Sequence, residues 1–411
     1  MKRKYVVMIE WAVLLLLAAG LAVFCIRRLF SSGTTGTPGQ TAEQSAAAQA
    51  EAGQGGADAD GTAAASGDSS EGGAASGEKD TPGAGAAAGS GEEPGELLDP
   101  TPPEARRYTL SFAGDCTIGS LVEWQGSEPG DFQSVVGSDY AYPLSGVRSY
   151  FSTDDFTMVN LEGTFTNSDN AVEKPYRFRA DPAYVQVLSE GSVEAVSASN
   201  NHSGDFQEEG IIDTLSTLDN AGILYARAGA PLIHRLNGGL SLGIVSYNTV
   251  ENWESEDVWR SAVYTDIETC KAAGCDLIIG FMHWGTVEYL EEPEDWEVDF
   301  AHDMADWGCG LIVGGHAHIL QRMEYYNNVP IFYSMGNFCY GGHLNPSDKD
   351  TIIVQAEYTW NSGTGELSRS GLRVIPCLIS SREDVNNYCP TPCEKGSEDY
   401  ERILGRLEWA E

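Results

Sequence analysis

The sequence predicts an α/β globular head in which much of the strand pairing is parallel. Three observations carry this reading. From about residue 107 onward, short apolar strand-like runs alternate with stretches of helical apolar spacing. Repeated strand–helix–strand order is the pattern of sheets whose neighbouring strands run parallel. Several of the apolar runs also end in Asp, Glu, Asn-His or His, and in such folds sites lie at the carboxyl ends of the strands.

The chain opens on Met1-Lys2-Arg3-Lys4, and Tyr5 to Ile26 is apolar apart from Glu10. At ~1.5 Å of rise per residue this stretch gives ~33 Å of helix, enough to cross a bilayer core. No small-x-small cleavage pattern follows it, so residues 1–30 are expected to remain as a transmembrane anchor. Phe24 before Cys25 argues against lipid attachment. Lys2, Arg3, Lys4 and the terminal amine outweigh Arg27 and Arg28, which orients the N-terminus inside. The expectation is a single-pass protein of the cell membrane with an extracytoplasmic head.

Residues 31–106 are Ala, Gly, Ser, Thr, Pro and acidic residues, with almost no aromatic or branched side chain. Such a segment buries too little apolar surface to offset its ordering entropy and is expected to be a disordered linker. Its reach is roughly 50 Å, which suits a tether. Residues 107–380 form the expected domain, and residues 381–411 a C-terminal extension. The head is long enough for one sizeable core.

The whole chain carries 61 Asp and Glu against 24 Lys and Arg, a net charge of −37. This excludes a non-specific nucleic-acid binder. An anionic substrate would need a bound cation or a local basic group to hold it. None of the nine cysteines falls in a paired CxxC zinc pattern. The spacings Cys270–Cys275 and Cys389–Cys393 suit short-loop disulfides, whereas several others sit in apolar runs as buried thiols.

Taken in order, Tyr108–Ala113 reads as a strand leading to Gly114-Asp115, and Phe156–Asn160 as a strand leading to Leu161-Glu162. Pro182–Glu190 has helical spacing, and Ala195–Ala198 runs into Ser199-Asn200-Asn201-His202. Glu209–Ala221 reads as a helix with Ile211, Ile212, Leu215 and Leu218 on one face. Leu240–Ser246 is strand-like, Thr265–Ala273 helical, and Asp276–Met282 a buried strand ending in His283. Glu297–Trp307 reads as a helix feeding the strand Cys309–Gly314, which closes in Gly315-His316-Ala317-His318. Because side chains at i and i+2 share a strand face, the two imidazoles are expected to leave the strand end together. Val329–Tyr333 and Thr351–Tyr358 are later strands. The acidic stretches Glu251–Asp257 and Glu291–Glu297 read as solvated loops.

Asp115, Glu162, Asn201-His202, His283 and His316/His318 thus stand at equivalent strand ends. Two carboxylates, an amide and up to four imidazoles suit Mn, Fe, Zn or Ni better than calcium, which prefers oxygen cages. The set exceeds the needs of one tetrahedral ion and leaves room for two. Trp284 and Phe338 read as packing residues, and Arg177 and Arg179 as anion holders or surface ion pairs. Asp205 either orients His202 or caps the helix that follows. His234, His302 and His343 have no partner motif.

The series Gly114-Asp115, Asn160-Leu161-Glu162, Asn200-Asn201-His202-x-x-Asp205, His283-Trp284-Gly285, Gly315-His316-Ala317-His318 and Tyr333-Ser334-Met335-Gly336-Asn337-Phe338 resembles the CapA family. These are the poly-γ-glutamate capsule synthesis proteins, also called PgsA. The resemblance covers about Tyr108 to Ile379. It implies a calcineurin-like metallophosphoesterase fold, a four-layer α-β-β-α sandwich. It implies a divalent transition metal site of one or two ions (Mn, Fe or Zn), with Asp115 and His318 on the first. Asn201, His283 and His316 would bind the second, and Glu162 takes the bridging position. His202 would be the catalytic acid or orienting group, assisted by Asp205. Asn337 would fix the loop beside the site.

The resemblance further implies a role in making or exporting poly-γ-glutamate or a related surface polymer. The implied partners are the membrane, polymer synthase or export proteins, and an anionic polymer or phosphoester substrate. The alternatives are a non-catalytic metal- or polymer-binding subunit of a synthase complex and a metal-dependent amide hydrolase. Three departures stand out. Members commonly read Asp-Tyr-Gly after the Asn-Asn-His, whereas this chain reads Asp205-Phe206-Gln207. Phosphoesterases carry Asp-x-His at the first strand, whereas Asp115 is followed by Cys116-Thr117. Glu288 lies five residues beyond His283 rather than four, and is left out of the expected site.

Overall fold

The computed structural model describes residues 105–409, apart from 126–127 and 252–253. The expected anchor, and all of the expected linker except its last two residues, lie outside the described residues. Among the described residues no helix is long and apolar enough to cross a membrane.

Strand β1 (Ala105–Cys116) opens the described chain. Ala105 and Arg106, read as linker, belong to it because they pair with Asn361 and Trp360. After β2 (Ser120–Leu121) come α1 (Phe132–Val136), α2 (Arg148–Phe151) and β3 (Phe156–Leu161). Then follow β4 (Thr164–Phe165), β5 (Phe178–Ala180), α3 (Gln186–Gly191) and β6 (Ala195–Ser197). Next are α4 (Gln207–Ala221), β7 (Leu224–Ala226), β8 (Leu232–Arg235), β9 (Ser241–Asn248) and α5 (Glu256–Ala272). Strand β10 (Leu277–His283), α6 (Asp295–Asp306), β11 (Leu311–Gly315), β12 (Met323–Tyr326) and β13 (Val329–Phe332) complete the second half. The long β14 (Asp350–Asn361) and β15 (Glu366–Leu378), then β16 (Thr391–Pro392) and α7 (Glu398–Arg406), end the chain.

The larger sheet has the order β16-β15-β14-β1-β3-β6-β7, and the second sheet β12-β13-β11-β10-β9-β8. Strands β1, β3, β6 and β7 run parallel, as do β9, β10, β11 and β13. The antiparallel strands lie toward the sheet edges. Three short strands, β2, β5 and β4, form a third sheet.

Alternation along each strand serves two layers at once. Leu110 and Phe112 of β1 and Met158 of β3 pack with Ile244 of β9, Phe281 of β10 and Val313 of β11 in one apolar layer. Ala113, Val159 and Val196 point the other way, onto Leu188 of α3 and Leu218 of α4. Val245, Met282 and Ile312 pack with Val263 and Ile267 of α5 and Phe300 and Met304 of α6. The result is helix, sheet, sheet, helix. Burial on both faces is why these strands read as unbroken apolar runs. Ile403 and Leu407 join the central layer, and Arg402 and Arg406 bind the Asp350 carboxylate, so the chain beyond residue 380 packs on the same core.

Three local readings are corrected. Ile212 of α4 is exposed, and the buried face is Gly210, Thr214 and Leu218. Helix α5 starts at Glu256, inside the acidic stretch read as a loop, because Ser255 takes the N-cap position ahead of Glu256 and Asp257 in the first turn. Glu297 is buried within the first turn of α6, where it closes a capping box with Glu294.

Candidate metal centre

The carboxyl ends of the two parallel strand sets meet at one place. The Asp115 amide donates to the Gly336 carbonyl at 3.0 Å, and the Phe338 amide to the Asp115 carbonyl at 2.8 Å. Residues 335–338, which follow β13, therefore stitch the end of β1 to the second sheet. Register then fixes the rest. Asp115 pairs with Asn160 across β1 and β3, which places Glu162 one step beyond the strand end.

At this seam Asp115, Glu162 and His283 each offer a ligand atom within 4.8 Å of the others. His283 Nε2 lies 3.6 Å from Glu162 Oε1, and His318 Nε2 lies 3.9 Å from the same oxygen. His283 and His318 also approach Asp115, each at 3.8 Å. The His316 ring packs edge-on to His283, with centroids 5.1 Å apart. Asn201 Oδ1 accepts from His283 Nε2 at 2.8 Å. The structure thus brings together every residue expected to bind metal.

His316 and His318 get there by a different route from the one expected. Strand β11 ends at Gly315, and the two histidines have φ of 93° and 57°, the left-handed region that non-glycine residues rarely adopt. Their convergence is imposed by neighbours rather than by strand alternation. The His316 amide donates to Asp115 Oδ2 at 3.1 Å. Asn337 clamps His318, donating to its carbonyl at 3.1 Å and meeting Nδ1 through Oδ1 at 2.9 Å. Gly315 is required here, since a Cβ would sit 2.4 Å from Asp115 Oδ1. Strain held by surrounding contacts is typical of functional sites.

Two amides the sequence left without a role organise the cluster. Asn160 Nδ2 donates to Asp115 Oδ1 at 2.7 Å and to His283 Nδ1 at 3.1 Å. Its oxygen accepts from Asn200 Nδ2 at 3.0 Å. That leaves Nε2 as the protonated nitrogen of His283, facing Asn201. A metal taken on Nε2 would displace this proton.

His202 and Asp205 form the second half of the site. His202 Nδ1 lies 2.9 Å from Asp205 Oδ2, which also accepts the Phe178 amide at 2.7 Å. Asp205 makes no helix cap: α4 begins after Phe206, with no side-chain cap bond. Of its two expected roles, orienting His202 is the one the geometry shows. Lys174, absent from the expected set, pairs with Asp205 Oδ1 at 2.7 Å and donates to the Asn201 carbonyl at 2.8 Å. It lies 27 residues before Asn201, and a basic residue in an acidic chain was the only signal.

Electrostatics favour a cation at the centre. Burial pushes Glu162 well above the usual carboxylate range, and the neighbouring Asp115 and Glu288 push it further. Burial also raises Asp115, against the pull of His318. Burial holds His283 well below the usual imidazole range, with His316 and His318 adding to the effect, and lowers His316 to about 3. Both Glu162 oxygens and His316 Nδ1 are buried with no hydrogen-bond partner. Unpaired buried carboxylate is costly, so this donor set fits a divalent cation. The mixed nitrogen and oxygen donors suit a transition metal.

The remaining expectations sort readily. Trp284 is fully buried and donates to the Tyr333 carbonyl at 2.8 Å, and Phe338 is buried in the core, so both are packing residues. Arg177 pairs with Glu123, and Arg179 with Asp169 at 2.9 Å, as surface ion pairs. His302 bonds Glu324 at 2.7 Å, away from the centre. Glu288, set aside on spacing, comes near enough to Glu162 to raise it. The exposed Tyr289 beside it has its ring centroid 6.1 Å from that of His318. The Thr117 hydroxyl is buried and unpartnered.

The pattern described as "Bacterial capsule synthesis protein PGA_cap" matches residues 109–341. The chain is similar to the PGA biosynthesis protein CapA of Bacillus subtilis (strain 168), with 26% identity over 74% of this chain and 80% of that protein. It is also similar to the probable polyglutamine synthesis accessory protein Rv0574c of Mycobacterium tuberculosis (strain H37Rv), with 30% identity over 59% of this chain and 69% of that protein. Among solved structures it aligns with the calcineurin-like phosphoesterase YfkN from Bacillus subtilis at 13% identity and a TM-score of 0.44, covering 74% of this chain and 97% of that one. With the family pattern spanning more than half its length, this chain belongs to the bacterial capsule synthesis protein PGA_cap family.

Proposed function

We propose that this chain is a membrane-tethered component of the synthesis or export of poly-γ-glutamate or a related surface polymer, with a metal-dependent, phosphoesterase-like hydrolytic site. Family membership and the names of its relatives support the polymer. The apolar stretch within residues 1–30 supports the tether and an extracytoplasmic head. One observation carries the chemistry: Glu162 is fully buried, lies between His283 and His318, and has no hydrogen-bond partner on either oxygen.

Asp115, Glu162 and His318 would hold a divalent cation on one side, and Glu162, Asn201, His283 and His316 on the other. Such a cation supplies Lewis-acid polarisation of a substrate oxygen and activation of water. The protein's own contribution is orientation and proton transfer. Asp205 fixes His202 through Nδ1, which leaves Nε2 to give a proton to the leaving oxygen or nitrogen. Burial lowers His202 while Asp205 opposes the shift, which favours a neutral imidazole whose Nε2 first accepts the proton lost by the attacking water and then passes it to the leaving group. Lys174 places a cationic group beside this pair, suited to an anionic phosphoester or polymer segment.

A second reading rests on Thr117, which holds the sequence position of the histidine in the Asp-x-His that phosphoesterases carry: a non-catalytic subunit that binds metal or polymer and steadies a synthase complex. Incubation of the metal-loaded full chain with a phosphoester and, separately, with glutamyl polymer distinguishes the two. Release of phosphate supports phosphoesterase chemistry, and release of polymer fragments supports amide hydrolysis. Release of neither, with the metal retained, rejects the hydrolytic reading in favour of the subunit.

A further inference from the structure

Far from the metal centre, the end of α5 carries two thiols in a defined geometry. The Cys275 amide donates to the Cys270 carbonyl at 3.1 Å, and the Gly274 amide to the Lys271 carbonyl at 3.0 Å. Ala273 is the C-cap, and Gly274 has a φ of 77°. This pair of bonds is the Schellman helix ending, in which the side chains of the third-last helical residue and of the second residue past the cap touch. In most helices that contact is between two hydrophobic groups. Here it is between Cys270 and Cys275.

The floor beneath them is glycine. A Cβ added to Gly243 of β9 would lie 2.8 Å from Cys270 Sγ and 3.0 Å from Cys275 Sγ, so both sulfurs sit over the same backbone atom. Cys270 is fully buried and Cys275 only partly so, which leaves one member sheltered and the other reachable from solvent. Cys389 and Cys393 have the other short spacing, and the strand residues Thr391–Pro392 between them keep the chain extended.

We propose that Cys270 and Cys275 are a site of oxidative modification, closing to a disulfide by exchange with a small-molecule or protein disulfide. The Cys275 thiolate attacks one sulfur of the carrier, forming a mixed disulfide and releasing one carrier thiol. Cys270 then attacks the Cys275 sulfur, forming the Cys270–Cys275 bond and releasing the second carrier thiol. Two protein thiols lose two protons and two electrons, and the carrier disulfide is reduced to two thiols. Both thiols titrate above their ordinary range because of burial, so closure is slow at neutral pH and quickens as pH rises. The bond staples the end of α5 to the start of β10, the strand that ends in His283.

The test is exposure of the purified, reduced full chain to oxidised glutathione, followed by thiol counting and peptide mapping. Lys271 lies between the two cysteines and Asp276 follows Cys275, so trypsin with endoproteinase Asp-N separates them from each other and from Cys309, and a bridge joins two peptides that part on reduction. The expected result is loss of two titratable thiols, a linked peptide pair containing Cys270 and Cys275, and a melting temperature a few degrees higher, reversed by dithiothreitol. C275S should abolish all three, while C309A should leave them intact. An unchanged thiol count, a persistent glutathione adduct on Cys275, or a bridge from Cys270 to Cys309 would overturn the proposal.

Discussion

Asp115 and His316 meet through a 3.1 Å hydrogen bond from the His316 amide to Asp115 Oδ2, joining the ends of β1 and β11 across the two sheets. The carboxylate therefore has two tasks: it holds a histidine backbone in a left-handed conformation, and it faces His283 and His318 as a candidate ligand. Gly315 makes the approach possible. Gly315→Ala forces a methyl group against Asp115 Oδ1 and should destabilise the fold by about 1–3 kcal/mol, as overpacking does. Urea denaturation measures this, and metal affinity should fall in the same variant.

On the proposed hydrolytic reading, the His202–Asp205–Lys174 arrangement separates proton transfer from metal binding. His202→Ala should lower hydrolysis about 10²–10⁴-fold while metal content stays at the wild-type value. Loss of metal in this variant would place His202 among the ligands instead.

Asp205→Ala should cost more in stability, because Asp205 is fully buried, pairs with the Lys174 ammonium and accepts from the Phe178 amide. A loss of about 2–3 kcal/mol is expected for breaking a charge-assisted buried contact. Lys174→Met relieves the unpaired cation, so the double variant should be less destabilised than the sum of the two singles. Chemical denaturation of all four proteins gives the coupling directly.

Asp154 makes stability depend on pH outside the metal centre. Its carboxyl accepts from Thr157 Oγ1 at 2.7 Å, and burial pushes it up to about 7 from an ordinary 3.8. The folded protein thus holds a proton that the unfolded chain releases, so this group's contribution falls as pH rises from about 4 to 7. Asp154→Asn mimics the protonated form. It should flatten the decline across this range and leave the variant more stable than wild type at pH 8, as read by denaturant midpoints.

The parallel strands and the polar residues that end them were legible in the sequence because each is local, and the short spacing of His202 and Asp205 left orienting the imidazole as one of two roles for the carboxylate. What was not legible lies between segments. Asn160 earns its place through Asp115 and His283, and Lys174 through Asp205 and Asn201; neither pairing follows from spacing along one element. The shared strand face assigned to His316 and His318 assumed that β11 continues past Gly315, whereas hydrogen bonds from Asp115 and Asn337 fix a strained loop there. The start of α5 was hidden because acidic residues in a first helical turn look, without the cap, like a solvated loop.

Metal content tests the central claim most directly. The full chain, purified without chelator and dialysed, should retain at least one Mn, Fe or Zn per molecule by elemental analysis. His316→Ala with His318→Ala should lose it while the circular dichroism spectrum stays unchanged. A well-folded wild-type chain that retains no transition metal, and gains none when Mn²⁺ or Zn²⁺ is added, would contradict the account.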